Sequence, residues 1–368
     1  MILLTVNSGS TSVKLALYDA GATRAPVRVG GEQHEGASLD PVRVLSALRA
    51  KLRAAPSAIA HRVVHGGTRF VRPTRIDDAV VAGIEKLSPL APLHNPATLR
   101  WLKAARELWG SAIPQVAVFD TAFFSNLPRV AAEYALPPRL GVERGVRRYG
   151  FHGLAHESMW RAWCALHPQL PRGGRLITLQ LGGGCSIAAI EAGRALDTSM
   201  GFSPLEGLVM ATRSGDMDPA VVPYLEQQLQ LSGEEVIALF NKHAGLAGIA
   251  GSDANPTQLL ADPAPQAQFA VELYCYRLRK YLGAYLAVLQ GCDGIVFGGG
   301  VGEHAPQVRA RAVAGLSWAG IELEPAANEA AQGGDHLISA SHAAVKVHVL
   351  ASDEESVLAE AAAAIARE

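Results

Sequence analysis

The chain has 368 residues, with 33 Lys and Arg set against 34 Asp and Glu, and only four cysteines. Domains usually hold about 100–200 residues, so two are expected rather than one. A formal charge of −1 with 6% aromatic residues gives neither the positive field nor the stacking surface that nucleic acid or an anionic membrane would select. Cys164, Cys185, Cys275 and Cys292 form no CxxC pair, which reads as reduced thiols in a cytoplasmic protein. The apolar start, Met1 to Val6, meets polar Asn7 and Ser8 before a signal-peptide core could form. No apolar run nears the roughly 18 residues of a membrane span.

The elements follow in chain order. Ile2–Val6 reads as a strand, residues 7–12 as a turn of small and hydroxyl residues, and Val13, Leu15 and Leu17 as the buried face of a second strand. The Pro-punctuated loop from Ala91 to Pro96 leads into an amphipathic helix carrying Leu99, Leu102, Leu108 and Trp109. A buried-type strand, Gln115–Phe119, ends on Asp120. A second hairpin-like unit, Leu176–Leu181, three glycines, then Cys185–Ile190, echoes the opening and suggests two domains built on one plan. Ser232 with Glu235 spells a capping box ahead of Val236–Phe240. Phe269–Leu289 reads as a long helix stopped by Gly291. Gly294–Phe297 is a short strand running into a glycine cluster with a helix beyond, and Glu354–Ala366 is an Ala-rich helix. Strands alternating with helices specify an α/β fold. The expected division is residues 1–150 with 352–368 returning to them, and residues 151–351.

Three glycine- or hydroxyl-rich turns, at 7–12, 182–184 and 298–302, each follow a strand. Glycine lets backbone N–H groups close on an anion. One such turn is most often a plain hairpin, but three at strand ends favour a phosphate ligand, and none is a GxxxxGK[ST] loop. Lys14, two residues past Ser12, can reach over the first turn. Arg62, Asp120, His152 and Arg213 also stand at element ends. Each alone reads as a surface Arg, a capping Asp or a core His; together they supply the charge that phosphoryl transfer demands.

The residues that carry a resemblance are Asn7 to Lys14, His61 to Gly67, Leu93 to Pro96, Phe119 to Phe123, Arg148 to Gly153, Asp197 to Pro219 and Ser352 to Glu355. In that order, the chain resembles acetate kinase and its propionate and butyrate relatives. The resemblance implies two duplicated actin-like, ribonuclease H-like domains with mixed sheets flanked by helices and a nucleotide cleft between them, and a homodimer. It implies reversible transfer of the ATP γ-phosphoryl group to acetate, giving acetyl phosphate and ADP, with Mg²⁺ (Mn²⁺ as the alternative). By the same resemblance Arg62 and Arg213 hold the carboxylate and the phosphoryl oxygens, His152 stabilises the equatorial charge and Asp120 orients the reactants. Asn7 and Glu354, with Glu355 one residue away, would serve the metal. Ser10, Ser12 and Lys14 face the phosphates, and Val64, Leu93, Phe151 and Pro204 form the apolar pocket for the methyl group.

Departures from the family pattern gather on the nucleotide side. Its His-Leu-Gly-Asn-Gly loop reads Gln180-Leu181-Gly182-Gly183-Gly184, its Asp-x-Arg reads Asp253-Ala254-Asn255, and its Gly-Ile-Gly-Glu-Asn reads Gly300-Val301-Gly302-Glu303-His304. Phe124, Leu154 and Ala155 stand where polar residues are common. The expectation is a weakened or altered nucleotide preference. Alternatives remain: the same chemistry on propionate or butyrate, since one methylene in an apolar pocket is worth only about 1–3 kcal/mol; a phosphoryl donor other than ATP; a sugar kinase; or a non-catalytic nucleotide-binding regulator.

Overall fold

Alternation in the first nineteen residues produces the opening hairpin. Strand β1 (Ile2–Ser8) pairs antiparallel with β2 (Ser12–Asp19), with Leu4 facing Leu17 and Asn7 facing Lys14. The computed structural model describes residues 1–9, 12–21, 24–36, 39–92, 94–251 and 256–368, and it divides into two units. The first holds residues 1–125, 151–158 and 353–368; the second holds 126–150 and 159–352. Where one boundary was anticipated at 150, the chain crosses three times, after residues 125, 150 and 158, before the last segment returns to the first unit. Arg148 is held in the second unit by the carbonyls of Thr198 and Ser199, at 3.0 and 3.2 Å, while Leu154 belongs to a core cluster of the first.

In the first unit β3 (Val27–Glu35), β4 (Ala58–Val63), β5 (Thr74–Arg75) and β6 (Gln115–Phe119) complete a six-stranded sheet in the order β3-β2-β1-β4-β6-β5. β1, β4 and β6 are mutually parallel. The sheet is covered on both faces. On one, Leu3, Ala16, Ala60 and Val118 meet Val357, Leu358 and Ala362 of the Glu354–Ala366 helix. On the other, Leu4, Val6, Leu15 and Ile59 meet Leu45 and Leu48 of the Pro41–Lys51 helix and Trp101 and Ala105 of the Asn95–Trp109 helix.

The second unit repeats the plan. β7 (Arg175–Leu181), β8 (Cys185–Glu191), β9 (Arg194–Thr198), β10 (Gly294–Gly298), β11 (His336–Leu337) and β12 (Lys346–Val349) are ordered β11-β12-β10-β7-β8-β9. Read from the β9 edge, this is the first sheet again. A three-stranded antiparallel meander is followed by two strands that run parallel to its first strand, one beside it and one beyond, and by one antiparallel edge strand. The Ser232 capping box is present at the Gly233–Lys242 helix. The long helix runs Pro265–Leu289, starting four residues earlier than expected, with Pro265 at a position where a missing N–H costs nothing. The helix expected after β10 begins at once, as Gly299–His304. No helix among the described residues is long and apolar enough to cross a membrane, and all four cysteines are free thiols.

Candidate active site

Parallel strands gather their C-terminal ends at one edge of a sheet, where ligands of open α/β sheets usually bind. In the first unit this edge collects Asn7 near the end of β1, Arg62 near the end of β4 and Asp120 directly after β6. The Glu354–Ala366 helix brings Glu354 and Glu355 to them.

Arg62 is the hub. Its Nη2 donates to Asp120 Oδ2 at 2.7 Å and its Nε to both Asp120 oxygens at 3.1 Å. Its Nη1 donates to Asn7 Oδ1 and Glu354 Oε2, each at 3.1 Å. Asn7 Nδ2 in turn donates to Glu354 Oε2 and Glu355 Oε1, both at 2.8 Å. The bidentate fork fixes the guanidinium plane as a lysine could not. Burial works against the charge on Arg62, but Asp120 and Glu354 more than offset it and push its pKa up. Asp120, with a side chain only 1% exposed, moves up to about 6. Burial is the main cause and Glu354 adds to it, while Arg62 and the Leu154 N–H oppose it. The two partners differ because Asp120 is the drier one, whereas Arg62 gathers several carboxylates.

Three carboxylates, Asp120, Glu354 and Glu355, face Arg62 and the half-exposed Lys14, whose Nζ lies 4.0 Å from Glu355. The excess of negative charge and the all-oxygen donor set suit a hard divalent cation. Among the described residues no group of three or more His, Cys, Asp or Glu could hold a metal by itself.

The Phe151–Leu154 segment lies against this cluster. His152 has a left-handed φ of 56°, a conformation that costs a non-glycine residue energy and that collects at functional sites. Gly153 then passes so close that a Cβ there would sit 1.9 Å from the Asp120 carbonyl oxygen. This closeness lets the Leu154 N–H at the start of the Gly153–Leu166 helix reach the Asp120 carboxylate. Phe151 is buried edge-on to His65, with ring centroids 5.6 Å apart, and Val64 is buried in the same unit. Phe124, Leu154 and Ala155 are all buried, and Phe124 packs edge-on against His156. Apolar packing thus occupies the positions where polar residues were expected.

The second unit holds Arg213, Pro204, the glycine turn at 182–184 and the glycine-rich start of the Gly299–His304 helix, so the turn expected at 298–302 is helical instead. Arg213 Nη1 donates to the Pro204 carbonyl at 3.1 Å, and among the described residues it pairs with no carboxylate. Burial lowers its pKa, so its charge is held desolvated with no carboxylate to cancel it. These two glycine segments follow β7 and β10, near whose ends Gln180 and Gly298 are register partners. Gly183 and Gly300 are exposed, and a Cβ on either would meet nothing within 4 Å. Packing does not require glycine there; close approach by a ligand would. Leu181 is buried, the Oε1 of Gln180 is buried with no hydrogen-bond partner, and Gly182 donates its N–H to Gly184 O at 3.1 Å. Val301 and Gly302 are buried, Glu303 Oε1 accepts from Ser352 N at 3.3 Å, and His304 is exposed. Ser12 starts β2 and its carbonyl accepts from Gly9 N. Ser10, Leu93, Asp253, Ala254 and Asn255 lie outside the described residues.

Two features had no signal in the residue pattern. The Leu154 amide is anonymous in sequence. Arg309, fully buried, donates to the carbonyls of Gly302, Glu303, Asn328 and Ala331 and to Asn328 Oδ1, and only three-dimensional closure brings these acceptors together.

A duplicated α/β plan, a fixed Arg–Asp–Glu cluster at the ends of parallel strands and exposed glycines after two strands define a phosphotransferase of the two-domain kinase class. The family model described as the acetokinase family matches residues 29–360. The acetate kinase of Streptomyces coelicolor is 42% identical over 387 residues, covering 97% of this chain and 95% of that one. The acetate kinase of Solibacter usitatus is 45% identical over 306 residues, covering 82% and 74%. Among solved structures, the acetate kinase of Porphyromonas gingivalis superposes with a TM-score of 0.87 at 34% identity, covering 99% of each chain. The propionate kinase of Francisella tularensis subsp. tularensis gives 0.87 at 32%, also covering 99% of each. The chain belongs to the acetokinase family, phosphotransferases with a carboxyl group as acceptor.

Proposed function

We propose that this protein catalyses the reversible Mg²⁺-dependent transfer of the ATP γ-phosphoryl group to acetate, giving acetyl phosphate and ADP. The observation that carries the reading is the Arg62 hub, a guanidinium locked by Asp120, Glu354 and Asn7. A carboxylate acceptor has a pKa near that of Glu, about 4.3, and is already ionised at neutral pH, so it needs no general base. The barrier is repulsion between anions, and positioning with charge neutralisation lowers it. Arg62 and Arg213 take the acyl carboxylate and the phosphoryl oxygens. His152 donates to the equatorial oxygens, and Asp120 holds Arg62 and orients the acceptor. Val64, Phe151, Pro204 and Leu93 receive the methyl group.

Asn7 and Glu354, with Asp120, would hold Mg²⁺ or Mn²⁺, which when bound neutralises phosphate charge. Ser10, Ser12 and Lys14 face the phosphates. The segments Gln180–Gly184 and Gly300–His304, with Asp253–Asn255, bind the nucleotide, so nucleotide binding belongs to the second unit. We further propose a cytoplasmic homodimer joined through that unit.

A second reading, transfer to propionate, is favoured by the equal likeness to the Francisella structure. Hydroxylamine trapping of acyl phosphate tests both, with acetate, propionate or butyrate and with ATP, GTP or pyrophosphate in parallel. Acetyl hydroxamate from ATP supports the first reading, and a higher kcat/KM for propionate replaces it with the second. Absence of product with every pair refutes both.

A further inference from the structure

The Asp197–Pro219 stretch contains more charged and aromatic residues than direct contact with a small substrate needs. Glu206 Oε1 accepts from Arg148 Nη2 at 2.6 Å, and its Oε2 accepts from the Tyr134 hydroxyl. The same hydroxyl oxygen accepts from Phe202 N at 2.8 Å. Arg148 spends its other donors on the carbonyls of Ala131, Thr198 and Ser199. Room for this clamp exists because residue 201 is glycine. A Cβ there would come within 1.6 Å of the Glu206 carboxylate and 2.2 Å of the Tyr134 hydroxyl.

One residue beyond Glu206 the chain closes into a pin. Gly207 N donates to Asp216 Oδ1 at 2.8 Å, Asp216 N donates back to Gly207 O at 2.9 Å, and Tyr281 holds Asp216 Oδ2 at 2.8 Å. Inside the pin Met210 N donates to Arg213 O at 3.0 Å. The Arg213 guanidinium then reaches back to the carbonyl of Pro204, two residues before Glu206. The Glu206 carboxylate is spent on Arg148, and the Asp216 carboxylate on Gly207 and Tyr281. Both therefore hold the loop while leaving the Arg213 charge uncancelled.

We propose that Glu206 is a positioning residue for Arg213. Clamped by Arg148 and Tyr134, it fixes the Pro204 carbonyl and with it the place where Arg213 presents its charge to the transferring phosphoryl group. This inference rests on the phosphotransfer reading above.

The test is a double-mutant cycle in the full chain, with acyl hydroxamate formation and thermal unfolding measured on each variant. Glu206→Gln should lower kcat/KM by about 10²-fold, the cost of displacing a reacting group by about 1 Å. Tyr134→Phe, which removes one hydroxyl and keeps the ring, should lower it by about tenfold, the cost of about one hydrogen bond. In an Arg213→Lys background either change should cost less than about threefold, because residues acting as one unit are non-additive. Full penalties in both backgrounds overturn the proposal. Asp293→Asn, at the Arg175 ion pair of the same unit, is the control for general loosening: it should lower Tm and leave kcat unchanged. A loss of kcat/KM there equal to that of Glu206→Gln also overturns the proposal. An inactive wild-type chain refutes the phosphotransfer reading and this role with it, whereas an active wild type with additive penalties refutes the positioning role alone.

Discussion

His61 makes the stability of the first unit depend on acid in a way that one substitution can remove. The ring is wholly buried in β4. Its Nε2 lies 2.8 Å from Gln115 Oε1, and its Nδ1 is buried with no hydrogen-bond partner. Nε2 therefore carries the hydrogen and Nδ1 stays bare. Burial lowers the pKa from 6.5 to about 4, against the weaker upward pull of Gln115. The folded protein thus binds fewer protons than the unfolded chain between these values. The contribution of His61 is full above the unfolded pKa and drains away as pH falls toward the folded one. By pH 4 the loss is about 3 kcal/mol, since each pH step between the two pKa values removes roughly 1.4 kcal/mol. His61→Gln keeps a donor near the Nε2 position and cannot titrate. Urea unfolding followed by circular dichroism at pH 7.5, 5.5 and 4, with amide exchange read on the Ala58–Val63 strand, measures the difference. The variant should match the wild type within about 1 kcal/mol at pH 7.5 and lose about 3 kcal/mol less by pH 4. Parallel pH slopes for the two proteins would refute the reasoning.

Other expectations follow from close contacts and shared acceptors. Gly153→Ala needs its Cβ to clear a carbonyl oxygen 1.9 Å away, so Asp120 must shift by about 1 Å and kcat should fall by about 10²-fold; unchanged steady-state kinetics would refute it. Arg309→Met abandons five buried acceptors and should cost at least about 3 kcal/mol, read as a lowered Tm. With Gln180 and Gly183 replacing polar family residues, the KM for ATP should be raised and ATP should discriminate weakly from GTP, which initial-rate kinetics would check; a low KM with strong ATP preference would count against it.

Much of the fold is legible where the pattern is local. The Val13–Leu17 alternation, the Gln115–Phe119 run, the Ser232 capping box and the Glu354–Ala366 helix each carry their own signal within a few residues. β3 does not. Its two glycines and its largely exposed edge position leave no apolar alternation to detect. The domain division is illegible for a related reason: residues 126–150 are claimed by partners about fifty residues ahead, such as Thr198 and Glu206, and no composition change marks the crossing. Within the candidate site, Arg62 and Asp120 could be singled out only as members of a set and through the family motifs that contain them. Glu206 and Arg309 could not, since their meaning lies in which distant atoms they meet.

The pairing of Asn7 with Glu354 spans 347 positions. At ribosomal speeds of about 5–20 residues per second, Asn7 emerges about 20–70 s before its partner is made. Until then one face of the first sheet lacks the helix that seals it, and Arg62 lacks one of its two ion-pair carboxylates. Synthesis therefore passes through a stage in which the strands of the second unit's sheet have all been made while the first sheet still has an open face. A chain cut short before Glu354 loses the carboxylates that face Arg62 and Asn7 and part of the first unit's core in the same event.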